Sequence, residues 1–243
     1  MFDHKQSVKE VLRHVTYRCG LAGLHDALRR SRGRSDAHMR LSTNADIFSR
    51  IYEDRVWVVQ DEQDSASGTG STKIATSELI QQLTTFLRKV DCRNLVDIGC
   101  GDYNWMQHVT GEFNYLGIDV VPDLIASHQH EYGNAKREFL CMDAIKSPIP
   151  SGDVAICREV LFHLSFRDGL QMLHNIKAAG FKYVMLTHDT TIWFNADIRT
   201  GDFRMINLNK PPYRLPEPLY KLRDEKVASG RALSVWSGEA LPG

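Results

Sequence analysis

The sequence predicts an α/β fold: a doubly wound, mostly parallel sheet with helices on both faces and a helical extension at its N-terminus. Three observations carry that expectation. From residue 94 short apolar runs recur as NLVDIG (94–99), YLGIDV (115–120), REFLCMD (137–143), DVAIC (153–157) and YVMLTH (183–188). Segments of helical length, 103–109, 122–132 and 166–179, lie between them. Apolar runs alternating with helical segments mark βαβ units, whose strands are buried on both faces. Ahead of them Val8, Val11, Leu12 and Val15 stand at helical spacing, which predicts an amphipathic helix near the start.

Composition bounds the rest. The chain has 243 residues, 42% hydrophobic and 25% charged, which suits one large domain with an appendage and excludes disorder throughout. Formal net charge is zero, which argues against nucleic acid as a partner, since such binders carry a basic excess. Cys19, Cys92, Cys100, Cys141 and Cys157 are odd in number with no CxxC spacing, so neither a disulfide framework nor a zinc cluster fits. The opening MFDHKQSVKE has no apolar secretory core, and no stretch approaches the roughly 20 apolar residues of a membrane span. A reduced, cytoplasmic, soluble protein is expected.

The zero balance hides a split. Residues 1–40 hold nine basic and four acidic side chains, a net charge of +5, and residues 41–72 hold two and six, a net charge of −4. A basic helical extension over 1–45 and a second unit over 46–243 follow, with a peripheral membrane contact through residues 1–40 as one use of the basic stretch and a solvated appendage as the other. QDEQDSASGTGST (60–72) reads as a loop. Thr76 or Ser77 is expected to cap a helix running to Lys89, with Leu79, Ile80, Leu83, Phe86, Leu87 and Val90 on one face. PPYRLPEP (211–218) reads as extended chain and ALSVW (232–236) as the last strand.

The stretch VDIGCGDYNW (96–105) carries the chemistry. A strand runs into Gly99-Cys100-Gly101, with a helix expected after it, and in a doubly wound sheet this turn lies at the ligand-binding edge. Asp119 closes the second strand, where a carboxylate can accept from both hydroxyls of a ribose. Those features fit a dinucleotide and S-adenosylmethionine equally. Two residues favour the second: Asn104 stands where a third glycine would admit a pyrophosphate, and Asp97 would repel a diphosphate but suits a cationic amino-acid end. Asp143 ends the third strand, where it can accept from an adenine amino group. CREVLFHLS (157–165) brings Arg158, Glu159 and His163 to the same edge.

VDIGCG, the acid in LGIDV, the acid in CMDA and the run DVAICREVLFHLS resemble the class I S-adenosylmethionine-dependent methyltransferases. SASGTGST (65–72), DIGCGDYNWM (97–106), ICREVLFHLS (156–165) and TGDFRMINLNKPPYRLPEP (200–218) resemble, more narrowly, bacterial sugar or phosphoramidate O-methyltransferases of capsule, O-antigen and secreted-glycan clusters, including a rhizobial group acting on a fucose hydroxyl of lipochitooligosaccharide nodulation signals. The resemblance spans about residues 50–237. It implies a Rossmann-like, seven-stranded sheet, S-adenosylmethionine as cofactor, and a carbohydrate or glycolipid acceptor. Position by position it implies Asp97, Gly99 and Gly101 under the methionine part of the cofactor, Asp119 at the ribose, Asp143 at the adenine, and Ser67 to Ser71 folding over it with Trp57. The stretch RVWVVQDEQDS departs from the family's shorter glycine-bearing link, which weakens the assignment of Trp57.

A sugar hydroxyl needs a positioned base, and His163, after the fourth strand, is the first candidate, with helix capping and packing as its structural alternative. His188 with Asp189 is the second, beside an Asx turn. Asp153, Asp189 and Asp197 have no spacing that makes them a metal site. Arg158 pairs with the cofactor carboxylate or an anionic acceptor, or else with Glu159 or Asp143. Asn195, Arg204 and Asn207 are candidates to line the acceptor pocket. Trp105 and Phe162 would face a sugar or pack in the core, with packing favoured. A non-catalytic module on the same fold and a nicotinamide-dependent oxidoreductase are the competing functions, and the intact glycine turn and ribose acid weigh against the first.

Overall fold

The computed structural model describes residues 8, 11–16, 19, 21, 27, 31, 37–58, 65–226 and 228–242. Seven strands form one sheet: β1 (Asn94–Ile98), β2 (Asn114–Asp119), β3 (Arg137–Cys141), β4 (Val154–Cys157), β5 (Tyr183–Asp189), β6 (Tyr220–Arg223) and β7 (Arg231–Ser237). Their order is β3-β2-β1-β4-β5-β7-β6. The first five are parallel, and β7 inserts antiparallel between β5 and β6. Strand order therefore reverses between β1 and β4, and the crevice at that switch point is where such sheets bind ligands. This is the doubly wound, mostly parallel sheet that the alternating runs predict, in the Rossmann-like, seven-stranded form that the resemblance implies; β6 had no signal in the sequence.

Alternate strand residues feed two cores. Leu95, Val154, Ile156 and Met185 join Leu79, Leu83, Phe86 and Leu87 of α2 (Lys73–Lys89) on one face. Val96, Ala155, Cys157, Val184 and Leu186 join Met172, Leu173 and Ile176 of α4 (Phe166–Ala178) on the other. The cap of helix α2 stands four residues before Thr76, the earlier of the two expected: Thr72 accepts from the Ala75 amide, whereas Thr76 lies inside and turns its hydroxyl back to the Thr72 carbonyl. Helix α3 (Pro122–Tyr132) fills the expected 122–132 segment, with Pro122 in its first turn, where its missing N–H costs nothing.

The helix expected over 103–109 is reduced to a single 3₁₀ turn, Met106–His108. Tyr103 takes a left-handed φ of +56°, which stops a helix from starting there, and Trp105 and Met106 turn into the core beside α2. The chain between β5 and β6 holds no helix or strand and packs its apolar residues Ile206, Leu208, Tyr213 and Leu215 against the α4 face.

Helix α1 (Asn44–Glu53), capped by Thr43, spans the expected boundary between residues 45 and 46. Near the start, residues 8 and 11–16 are helical, and so are 27 and 31. Its apolar positions do not form the docking face: Val8, Leu12 and Val15 are 59%, 60% and 50% exposed. Arg13 and His14 make the contact instead, because the surface beneath presents backbone carbonyls, amides and carboxylates. Among the described residues no helix is long and apolar enough to cross a membrane. Cys92, Cys100 and Cys157 are buried free thiols.

Candidate functional site

A cleft of about 960 Å³, counting its open mouth, lies at the carboxyl ends of β1, β2 and β4. Its floor is the glycine turn. Gly99 and Gly101 have φ of +74° and +57°, and a Cβ on Gly99 would come within 2.3 Å of Val160 Cγ2. A Cβ on Gly101 would come within 2.6 Å of Ser67 Oγ. Only glycine lets the 65–71 loop and the 158–160 turn close this tightly over the strand end. The Asp119 carboxylate accepts from the Gly101 amide (3.0 Å) and the Val121 amide (3.1 Å), one bond per oxygen, so each oxygen keeps a lone pair for a ligand hydroxyl. His128 Nε2 bonds the Gly101 carbonyl at 2.8 Å from below.

Asp97 is buried and accepts from the Tyr115 hydroxyl at 2.9 Å; burial pushes its carboxyl up to about 7. Asp143 accepts from Asn44 Nδ2 (2.9 Å) and the Ile145 amide (3.0 Å). Asp97, Gly99, Gly101, Asp119 and Asp143 all line the one cleft. The 65–71 loop is fastened by Asp102, whose carboxylate receives the Ser65 hydroxyl (2.7 Å) and the amides of Ala66 and Ser67. Asn104 donates to the Ser71 carbonyl at 3.0 Å, so the position of the absent third glycine serves the same loop.

Helix α1 supplies a wall that the sequence analysis missed: Asn44, Phe48 and Tyr52, four residues apart, all face the cleft. Tyr52 bonds Ser67 Oγ at 2.8 Å, and burial followed by the Asp119 charge pushes its hydroxyl pKa well up. Their helical spacing was the available signal, but polar and aromatic residues at that period do not announce which surface they cover.

Arg158 lines the cleft, yet its guanidinium is committed elsewhere. It pairs in bidentate fashion with Asp224 (3.0 and 3.1 Å) and donates to the Gly70 carbonyl (2.7 Å). Asp224, 66 residues away, had no motif; burial pushes its carboxyl up to about 6, still ionised at neutral pH beside the arginine. Glu159, at a left-handed φ of +62°, is gripped by Arg231 at 2.7 Å; although burial opposes it, Arg158 and Arg231 hold its carboxyl below the usual range.

His163 stands in the 3₁₀ turn Leu161–His163. Its Nδ1 bonds the Asp202 carbonyl at 2.9 Å; a carbonyl can only accept, so Nδ1 carries the proton and Nε2 the lone pair. Burial lowers its pKa, which keeps the ring neutral. Trp57 and Phe203 flank the ring at centroid distances of 4.7 and 5.4 Å.

Several expected residues lie elsewhere. His188 is fully buried against Trp236; its Nδ1 accepts from the Leu208 amide, and burial pushes it down to about 4. Asp189 closes an Asx turn onto Thr191, as its structural alternative has it. Neither lines the cleft. Asn195, Arg204 and Asn207 do not line it either. Arg204 is buried, donating to the carbonyls of Ala196, Leu161 and Phe162, and Asn195 and Asn207 tie the 192–211 chain to itself. Buried polar groups must be satisfied, and these residues spend their donors on backbone, together with the Arg204 bond to the Tyr213 hydroxyl. Phe162 is core, whereas Trp105 lines the cleft with one edge in the core. Asp153 and Asp197 each receive two amides, and no metal-binding cluster occurs among the described residues.

Residues 96–179 match the family model of a methyltransferase domain. No curated protein matches the sequence. Among solved structures, the N-methyltransferase NodS from Bradyrhizobium japonicum WM9 is 14% identical with a TM-score of 0.48, covering 69% of this chain and 99% of its own. Magnesium protoporphyrin IX methyltransferase from Synechocystis PCC 6803 with bound SAM is 14% identical, with a TM-score of 0.47 and coverage of 68% and 83%. Human N-acetylserotonin methyltransferase in complex with SAM is 12% identical, with a TM-score of 0.47; 76% of this chain is covered but only 59% of that one.

Residues 96–179 thus carry a methyltransferase domain, and S-adenosylmethionine is the methyl donor that the sequence motifs imply. The residues present fit that group. Asp97, Asp119 and Glu159 face the cleft, while the one arginine on its wall is neutralised by Asp224, so the field suits a cation and not a diphosphate. Trp57 and Trp105 add aromatic surface to the lining, and the Arg158 guanidinium stands over the Trp105 ring at 5.3 Å.

Proposed function

We propose that the protein transfers the methyl group to a sugar hydroxyl, such as that of fucose or another deoxyhexose, on a bacterial glycan, glycolipid or lipochitooligosaccharide. His163 carries the reading. Its tautomer is set by Asp202, it is held neutral by burial, and it lines the same cleft as the glycine turn. The cofactor supplies an electrophilic methyl on a sulfonium. The chain must then hold the acceptor oxygen in line, exclude water and take one proton. With the methyl passing to the acceptor oxygen and the carbon–sulfur electron pair staying on sulfur as a neutral thioether, Nε2 of His163 would take the hydroxyl proton, and Glu159 would stabilise the imidazolium that results. Phe203, 46% exposed beside His163, offers an apolar face to a sugar ring.

His163→Gln should lower turnover by roughly 10²–10⁴-fold with little change in cofactor affinity. Unchanged turnover would remove His163 from the mechanism. Mass spectrometry of surface and secreted glycans from a deletion strain should show loss of one methyl on one sugar; an unaltered glycan profile argues against a carbohydrate acceptor. A cytoplasmic enzyme touching a membrane through residues 1–40 belongs to the same proposal, supported by the exposed stripe Val8, Leu12 and Val15 and the local charge of +5. Co-sedimentation with phosphatidylglycerol vesicles that is equal for the native chain and Leu12→Asp would refute that contact.

A further inference from the structure

The basic N-terminal stretch takes no part in the site as described so far, yet three of its side chains converge on one segment. Arg13 Nη1 donates to the Phe203 carbonyl at 2.9 Å and lies 3.9 Å from the Asp202 carboxylate, with side chains only 11% and 2% exposed. His38, fully buried, bonds the Gly201 carbonyl through Nε2 at 3.2 Å. His14 Nδ1 accepts from the Asp197 amide, and its ring meets Phe194 edge-on at 5.2 Å.

That segment positions His163. The Gly201 amide donates to the His163 carbonyl (2.8 Å) and the Arg204 amide to the Phe162 carbonyl (3.0 Å), so residues 201–204 run alongside the turn that carries the histidine. The Asp202 carbonyl holds Nδ1, and the Phe203 ring packs against the imidazole. The segment has no strand or helix of its own to hold it. On its inner side it hangs on the 161–165 chain; on its outer side it is held by Arg13 and His38.

We propose that Arg13 is a positioning residue for His163, acting through the backbone of Asp202 and Phe203, and that the N-terminal segment is thereby part of the active site. The proposal rests on the reading of His163 as the base. It explains why the helix docks by its polar side: its task is to hold carbonyls in place.

The test reads the imidazole directly and needs no acceptor. Nitrogen-15 NMR of the full chain saturated with S-adenosylhomocysteine, with His163 assigned by its disappearance in His163→Gln, reports tautomer and pKa together. The native chain should show protonated Nδ1 and bare Nε2. In Arg13→Ala the loosened segment admits water, and Asp202 loses the guanidinium 3.9 Å away. Glu159, Asp202 and Arg204 are the charged groups acting on the ring, so a drier ring beside two carboxylates becomes a wetter one. The Nδ1–H share should fall, and the pKa should rise by roughly half a unit or more. Arg13→Lys, which keeps donor and charge, should restore most of both. Tautomer and pKa identical in the native chain and Arg13→Ala overturn the proposal. Should Arg13→Ala fail to fold, Arg13→Gln, which keeps a donor but no charge, must show a smaller shift of the same sign, and no shift overturns it equally. Full turnover by His163→Gln would topple the base while leaving the NMR outcome to decide the positioning.

Discussion

The floor of the cleft and its acceptor-side wall are held by different means. On the floor, Gly101 and Val121 donate to Asp119, and Tyr115 donates to Asp97, across sequence separations of 18 residues or fewer. On the wall, Arg158 reaches 66 residues to Asp224, Arg204 reaches 43 to the Leu161 carbonyl, His163 reaches 39 to Asp202, and Arg13 reaches 190 to Phe203. The floor is a strand-end turn that rigid parallel strands position. The wall is irregular chain that buried polar side chains staple to the sheet. Changes to the floor should therefore weaken binding, and changes to the wall should weaken the fold.

The sharpest way to break this contrast is Asp224→Ala. It strips the bidentate partner from Arg158 and leaves that cation buried, with the Glu159 carboxylate at 3.4 Å and the Gly70 carbonyl as neighbours. Removing one member of a buried pair costs about 3–5 kcal/mol. Chemical denaturation should register a loss of this size, with S-adenosylmethionine affinity nearly kept in the folded fraction. A loss under about 1 kcal/mol would mean the pair behaves as an exposed one.

Asp119→Ala tests the other side. The ribose hydroxyls lose a charged acceptor, at about 1.5–3 kcal/mol, so calorimetry should find the cofactor Kd raised by about 10–100-fold. The accompanying stability loss should be smaller than that of Asp224→Ala. Native affinity in this variant would take the ribose out of the assignment.

The same division explains what was legible in the sequence. Strands β1 to β5, α3, α4 and the floor acids were readable because each signal is local: an apolar run, a segment of helical length between two runs, an acid at a strand end. The 3₁₀ turn at Met106–His108 was not, since the 103–109 segment has helical length and the left-handed Tyr103 interrupts it. Asp102 lies within the DIGCGDYNWM run, but its hold on the 65–67 chain was not legible, and Asp224 and the Asn44–Phe48–Tyr52 face carry no motif; the partners of Asp102, Asp224 and Asn44 lie 35 to 99 residues away and that of Tyr52 lies 15 away. Asn195, Arg204 and Asn207 drew notice as polar residues in a tail and proved to be its internal staples; composition cannot tell a polar side chain facing a ligand from one satisfying buried carbonyls.

The smallest effect separates the floor's electrostatics from its geometry. Burial raises the Asp97 pKa in the folded chain to about 7, far above its unfolded value, with the Tyr115 hydrogen bond opposing the rise. The folded state therefore holds a proton that the unfolded state has released, and its contribution to stability falls as pH climbs from about 4 to about 7. Binding has the opposite sign. A cationic ligand favours the carboxylate, so S-adenosylmethionine affinity should weaken by up to about tenfold per unit as pH drops below about 7 and level off above it. Tyr115→Phe removes a hydrogen bond that stabilises the charge, so the limb should move to higher pH while the plateau stays in place. Calorimetry between pH 5.5 and 8.5 in buffers of different ionisation enthalpy would also count the proton released on binding. A Kd that is flat across that range in both proteins would show that Asp97 shapes the turn without sensing the ligand's charge.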